Sequence, residues 1–70
     1  MDPLECLIRL DQQISDLRLV DATASLADYR AWRRTGGFEP YVHSAEKRGD
    51  VFAANCERRL IDCKMQDNML

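Results

Sequence analysis

Asp2-Pro3-Leu4-Glu5-Cys6-Leu7-Ile8-Arg9-Leu10-Asp11-Gln12-Gln13-Ile14-Ser15-Asp16-Leu17 is the stretch on which the fold turns. Asp2 is placed to cap free amides, Pro3 suits the first helical position, and Glu5 completes the spacing of a capping box. Leu7, Leu10, Ile14 and Leu17 then recur at three, four and three residues, which stacks them on one helical stripe that Leu4 and Ile8 widen. Glu5 stands four residues before Arg9, the favourable order for an ion pair on the outer face. The spacing predicts a first helix over about residues 3–19.

Downstream, Val20 to Ser25 reads as a turn in which Asp21 or Ser25 caps a second helix. That helix carries Ala22, Leu26, Tyr29 and Trp32 or Arg33 along one side and stops at Gly36-Gly37, because glycine takes the left-handed conformation without steric cost. Its expected span is about residues 22–35. Pro40 biases Glu39 away from helical angles. A third helix, expected over about 42–66, places Phe52, Cys56, Leu60 and Cys63 on one stripe flanked by the small residues Ala45, Gly49 and Ala53. No segment alternates with period two for long enough to predict a strand. The fold class is therefore all-α: one domain over residues 1–70, a three-helix unit. Its apolar stripes offer more surface than one unit of this size readily covers, which predicts a homodimer.

With 70 residues the chain has room for one small core. It is 46% hydrophobic and 31% charged, with a net charge of −2. That composition is globular rather than disordered, and it supplies no global positive field for nucleic acid or acidic membrane surfaces. The N-terminus lacks the basic and apolar regions of a signal peptide, and no apolar run is long enough to span a bilayer, so a cytoplasmic location is expected. Cys6, Cys56 and Cys63 lack the paired short spacings of a zinc site and the density of a disulfide scaffold, so they are expected to be reduced core fillers.

No catalytic constellation is legible. His43 is the single histidine, with no thiol placed beside it and no third group to orient it. Gly36-Gly37 follows a helix, whereas phosphate-binding glycines open one. The expectation is no enzyme, no cofactor and no metal. What remains is a surface: Arg30, Arg33 and Arg34 beside Trp32, Phe38 and Tyr41, the residue types that dominate binding hot spots. Tyr41 and Arg33 are expected on the binding surface, with Trp32 and Phe38 at least partly buried. The function expected is a protein-binding modulator. A small nucleic-acid-binding regulator using the three arginines is the alternative, although each basic group sits among acidic residues.

Residues 27–40, from Ala27-Asp28-Tyr29-Arg30 through Trp32-Arg33-Arg34-Thr35-Gly36-Gly37-Phe38 to Pro40, resemble a pattern in small uncharacterised proteins of bacterial prophages and mobile elements. The resemblance implies a bacterial or phage origin and an accessory protein that binds a host or phage protein. It carries no activity, cofactor or site residue.

Overall fold

The computed structural model describes residues 1–68. Three helices, α1 (Pro3–Ser15), α2 (Leu19–Arg34) and α3 (Gly49–Asn68), are joined by a three-residue turn and a longer connector. The connector contains a hairpin of two short antiparallel strands, β1 (Tyr41–Val42) and β2 (Lys47–Arg48), with Tyr41 opposite Arg48 and Val42 opposite Lys47. The protein is thus mostly helical with a small sheet, and the expectation of no strand is corrected. Two-residue strands are too short to leave an alternating pattern. The hairpin holds because Val42 is buried and the Gly49 amide donates to the Pro40 carbonyl at 2.7 Å, closing its open end.

Asp2 caps α1 as its sequence predicts, its carboxylate accepting from the Leu4 and Glu5 amides at 3.0 and 3.3 Å. The helix ends four residues earlier than expected. Leu17 adopts a left-handed φ of 60°. Its amide donates to the Ile14 carbonyl at 3.0 Å, and the Arg18 amide donates to the Gln13 carbonyl at 2.8 Å. These are the two bonds of a Schellman stop, made here around a leucine. Leu17 therefore leaves the stripe and is 71% exposed. The sharp turn lets α2 fold back so that Ala22, Leu26 and Tyr29 reach Leu7, Leu10 and Ile14 in one buried cluster.

Because α2 begins at Leu19, neither Asp21 nor Ser25 caps it, and Arg18 at its N-cap position makes no side-chain cap bond. Ser25 is buried instead. Its hydroxyl donates to Gln13 Oε1 at 2.6 Å and accepts from Arg9 Nε at 3.4 Å. Arg9 thus turns toward α2 rather than pairing with Glu5.

The third helix starts at Gly49 rather than near residue 42, because the hairpin occupies the intervening chain. It runs antiparallel to α2: Asp50 meets Arg33, Glu57 pairs with Arg30, and Lys64 Nζ donates to Thr23 Oγ1 at 3.0 Å. Arg59 pairs with Asp11 of α1. Ala53, Cys56 and Leu60 complete the core. The stripes that promised surplus apolar surface are therefore largely covered within one chain. The exposed large apolar residues include Ile8 and Leu17 from the α1 pattern, together with Val20, Val51, Ile61 and Met65. No helix among the described residues is long and apolar enough to cross a membrane.

Candidate functional site

Of the arginine and aromatic residues singled out by the sequence, Trp32, Arg33 and Phe38 are brought together where α2 ends and α3 begins. Gly36, at φ 93°, stops α2 with both Schellman bonds: its amide donates to the Arg33 carbonyl at 3.2 Å, and the Gly37 amide donates to the Trp32 carbonyl at 2.8 Å. The reversal folds the chain over the Trp32 indole. A Cβ on Gly37 would stand 2.3 Å from that ring, so the position admits only glycine. Trp32 Nε1 donates to the Phe38 carbonyl at 3.0 Å, and the Phe38 ring meets the indole edge-on, with centroids 5.7 Å apart.

Behind this turn lies a polar network that the sequence did not reveal. Arg33 grips Asp50 with two parallel bonds of 2.9 Å and also donates to the Gly37 carbonyl at 2.8 Å. The buried Tyr29 hydroxyl donates to Asp50 Oδ1 at 2.7 Å. Glu39 accepts from the Asp50 amide and from Arg48 Nε, both at 3.0 Å. One carboxylate thus ties α2 to α3, and another ties the connector to the hairpin.

The electrostatics follow from these contacts. The Arg33 and Tyr29 hydrogen bonds hold the Asp50 carboxyl down to about 2. Burial, reinforced by the bond to Asp50, pushes the Tyr29 phenol well above its ordinary range. Asp50 is ionised and Tyr29 protonated at neutral pH, and both oxygens of Asp50 are occupied. A concavity of about 280 Å³ beside them is lined by Tyr29, Arg30, Arg33, Asp50 and Ala53. The chemistry of this network is that of a clamp.

The expected surface is therefore redistributed. Trp32 is half-buried, as expected, but Phe38 is 64% exposed, which corrects the expectation that it is partly buried: its ring leans on the indole from outside. Tyr41 is exposed on β1 and stacks edge-on against His43, with centroids 4.7 Å apart. Arg33 is locked in place by Asp50 and Gly37. Arg30 is tied to Glu57, whose carboxyl it holds below the usual range. Arg34 is exposed and makes no side-chain hydrogen bond or ion pair among the described residues. Tyr29, Glu39 and Asp50 are the members that sequence reading missed. The available signal was the Tyr29-Arg33 spacing of four on one helix face, with an acidic residue in the first turn of the next helix.

The cysteines lie away from this corner. Cys6 and Cys56 are buried and Cys63 is half-buried. Cys6 Sγ donates to the Ser25 carbonyl at 3.3 Å, and burial pushes the Cys56 thiol up to about 11.

Comparison with known protein families, characterised proteins and solved structures returned no match.

Proposed function

We propose that this protein is a non-enzymatic modulator, an inhibitor or adaptor, that binds a host or phage protein in the bacterial cytoplasm and acts as a homodimer. The observation that carries the reading is Phe38: a large aromatic side chain, 64% exposed, on a backbone fixed by Trp32, Arg33 and the glycine stop. A rigid exposed aromatic beside arginine loses little conformational freedom on docking, which is what makes such residues anchors at protein interfaces. Tyr41, exposed on β1, and Arg34, exposed in the last turn of α2, are the further candidate contacts. Arg33 and Trp32 position the anchor, and Arg30 lies farther along α2, paired with Glu57.

The nucleic-acid alternative draws less support, because Arg30 and Arg33 already carry carboxylate partners that a phosphate would have to displace. Affinity capture from bacterial lysate, before and after nuclease treatment, tests the reading. A specific protein retained after nuclease and lost with a Tyr41→Ala, Arg34→Ala variant is the expected result. Retention only of nucleic acid, weakening steeply with salt, would overturn it.

A further inference from the structure

Asp50 reaches both chain neighbours of Phe38. Its carboxylate is fixed from the core side, where the hydroxyl of Tyr29, a residue 1% exposed, donates to Oδ1 at 2.7 Å. The same carboxylate takes two Arg33 bonds of 2.9 Å, Nε to Oδ1 and Nη2 to Oδ2. A planar guanidinium held by two parallel bonds has little rotational freedom left, so its remaining donor is aimed. That donor, Nη1, meets the Gly37 carbonyl at 2.8 Å. On the other flank, the Asp50 amide belongs to the first turn of α3, whose N–H groups have no helical carbonyl to bond. Glu39 Oε2 accepts from it at 3.0 Å, while Glu39 Oε1 accepts from Arg48 Nε at the same distance. Residue 37 is therefore held through the Asp50 side chain and residue 39 through its main chain.

We propose that Asp50 is the positioning residue for the Phe38 loop, residues 36–40, and sets from α3 the backbone on which the aromatic ring is presented. The proposal deepens the reading of Phe38 as the anchor and rests on it for its functional meaning. The tie is reciprocal: the loop supplies an acceptor for the first turn of α3, and α3 supplies the carboxylate that aims Arg33 at the loop. Between the two held residues, the Phe38 carbonyl accepts from Trp32 Nε1 at 3.0 Å. With the Arg33 fork undone, the Gly37 carbonyl turns to water and the Trp32 bond is left to hold the backbone by itself. A loop braced in this way loses its conformational freedom on folding rather than on docking.

Other bonds between α2 and α3 lack this reach. Arg30 pairs with Glu57, and Lys64 donates to Thr23. Both join the two helices, and neither involves residues 36–40. Asp50 is set apart by the chain of contacts that runs from the buried phenol through Arg33 to Gly37.

The solvent exchange of one proton tests the proposal. Trp32 is the single tryptophan, so its indole N–H gives one resolved signal in nuclear magnetic resonance of the 15N-labelled full chain and reports the bond to the Phe38 carbonyl. Asp50→Ala is expected to speed exchange of that proton at least about tenfold, while the Leu10 and Leu26 amides keep their protection. Arg33→Lys, which keeps the charge but loses the fork, is expected to do the same and decides by itself if Asp50→Ala does not fold. Arg30→Gln, which removes a different α2–α3 ion pair, is expected to change the rate by less than about twofold. An indole proton that stays slow in Asp50→Ala, or one that Arg30→Gln frees equally, would overturn the positioning role. Acceleration by Asp50→Ala without acceleration by Arg33→Lys would overturn the route through Arg33. No partner enters this measurement, so its failure is distinct from failure of the anchor reading, which shows as full partner capture by a folded Phe38→Ala variant.

Discussion

Replacing Leu17 by glycine is predicted to stabilise the protein, and the sign of the effect tests where α1 ends. A non-glycine residue at φ 60° carries a steric cost of about 1–2 kcal/mol, because its Cβ crowds the following carbonyl. Glycine removes that cost and returns roughly 0.5–1 kcal/mol through the greater freedom of the unfolded chain. Leu17 is 71% exposed, so little burial is lost with its side chain. The balance is a gain of about 0.5–1 kcal/mol, a rise in Tm of about 3–6 °C for a domain of this size. Had α1 continued to residue 19, as the leucine spacing suggests, the same change would place glycine inside a helix and cost about 1 kcal/mol. Thermal melts followed by circular dichroism, with Gly36→Ala as the opposite control at φ 93°, separate the two. A Leu17→Gly protein that melts below wild type would refute the left-handed stop.

Three further outcomes follow from the core and the clamp. Asp50 is held down to about 2 and is half-exposed, so after solvent screening its pairing contributes about 1 kcal/mol. Because its carboxyl is depressed on folding, that stability is present above the unfolded value near 4 and is lost as pH falls toward 2; Asp50→Asn should flatten this part of an acid titration of unfolding. A Cβ at Gly49 would stand 2.6 Å from Tyr29 Oη and 2.9 Å from the Pro40 ring, so Gly49→Ala should cost about 1–3 kcal/mol in urea melts. The buried Cys6 and Cys56 thiols should react with Ellman's reagent only on unfolding, with Cys63 reacting first in the native protein and no loss of helical dichroism on adding a chelator.

What the sequence made legible was local. The Asp2 cap, the glycine stop at Gly36 and the buried stripe of α1 up to Ile14 each rest on residues within a turn or two of one another, and their side-chain chemistry is decisive at that range. The end of α1 was illegible because the left-handed stop is taken by leucine, whose apolar character reads as one more rung of the stripe. Ser25 looked like a cap because serine usually is one; its burial depends on Gln13 and Arg9, brought to it only once α2 folds back. The hairpin left no alternating signal in strands of two residues, and its closure depends on Pro40 meeting Gly49. The clamp was invisible for a similar reason. Arg33 and Asp50 lie 17 residues apart, and nothing in either segment names the other. Phe38 was expected to be at least partly buried because aromatic residues supply large burial, but with its carbonyl bonded to the Trp32 indole its ring meets that indole from the outer side.

The central claim is that Phe38 anchors a partner rather than the core, and one variant measured in two ways tests it most directly. Phe38→Ala is melted and, in parallel, used as bait against the protein retained by wild type. The account predicts a Tm within about 3 °C of wild type, since the ring is mostly exposed, together with loss of capture. A fall in Tm matching the roughly 3–5 kcal/mol of a truncated core aromatic, or full capture by a folded variant, would contradict it.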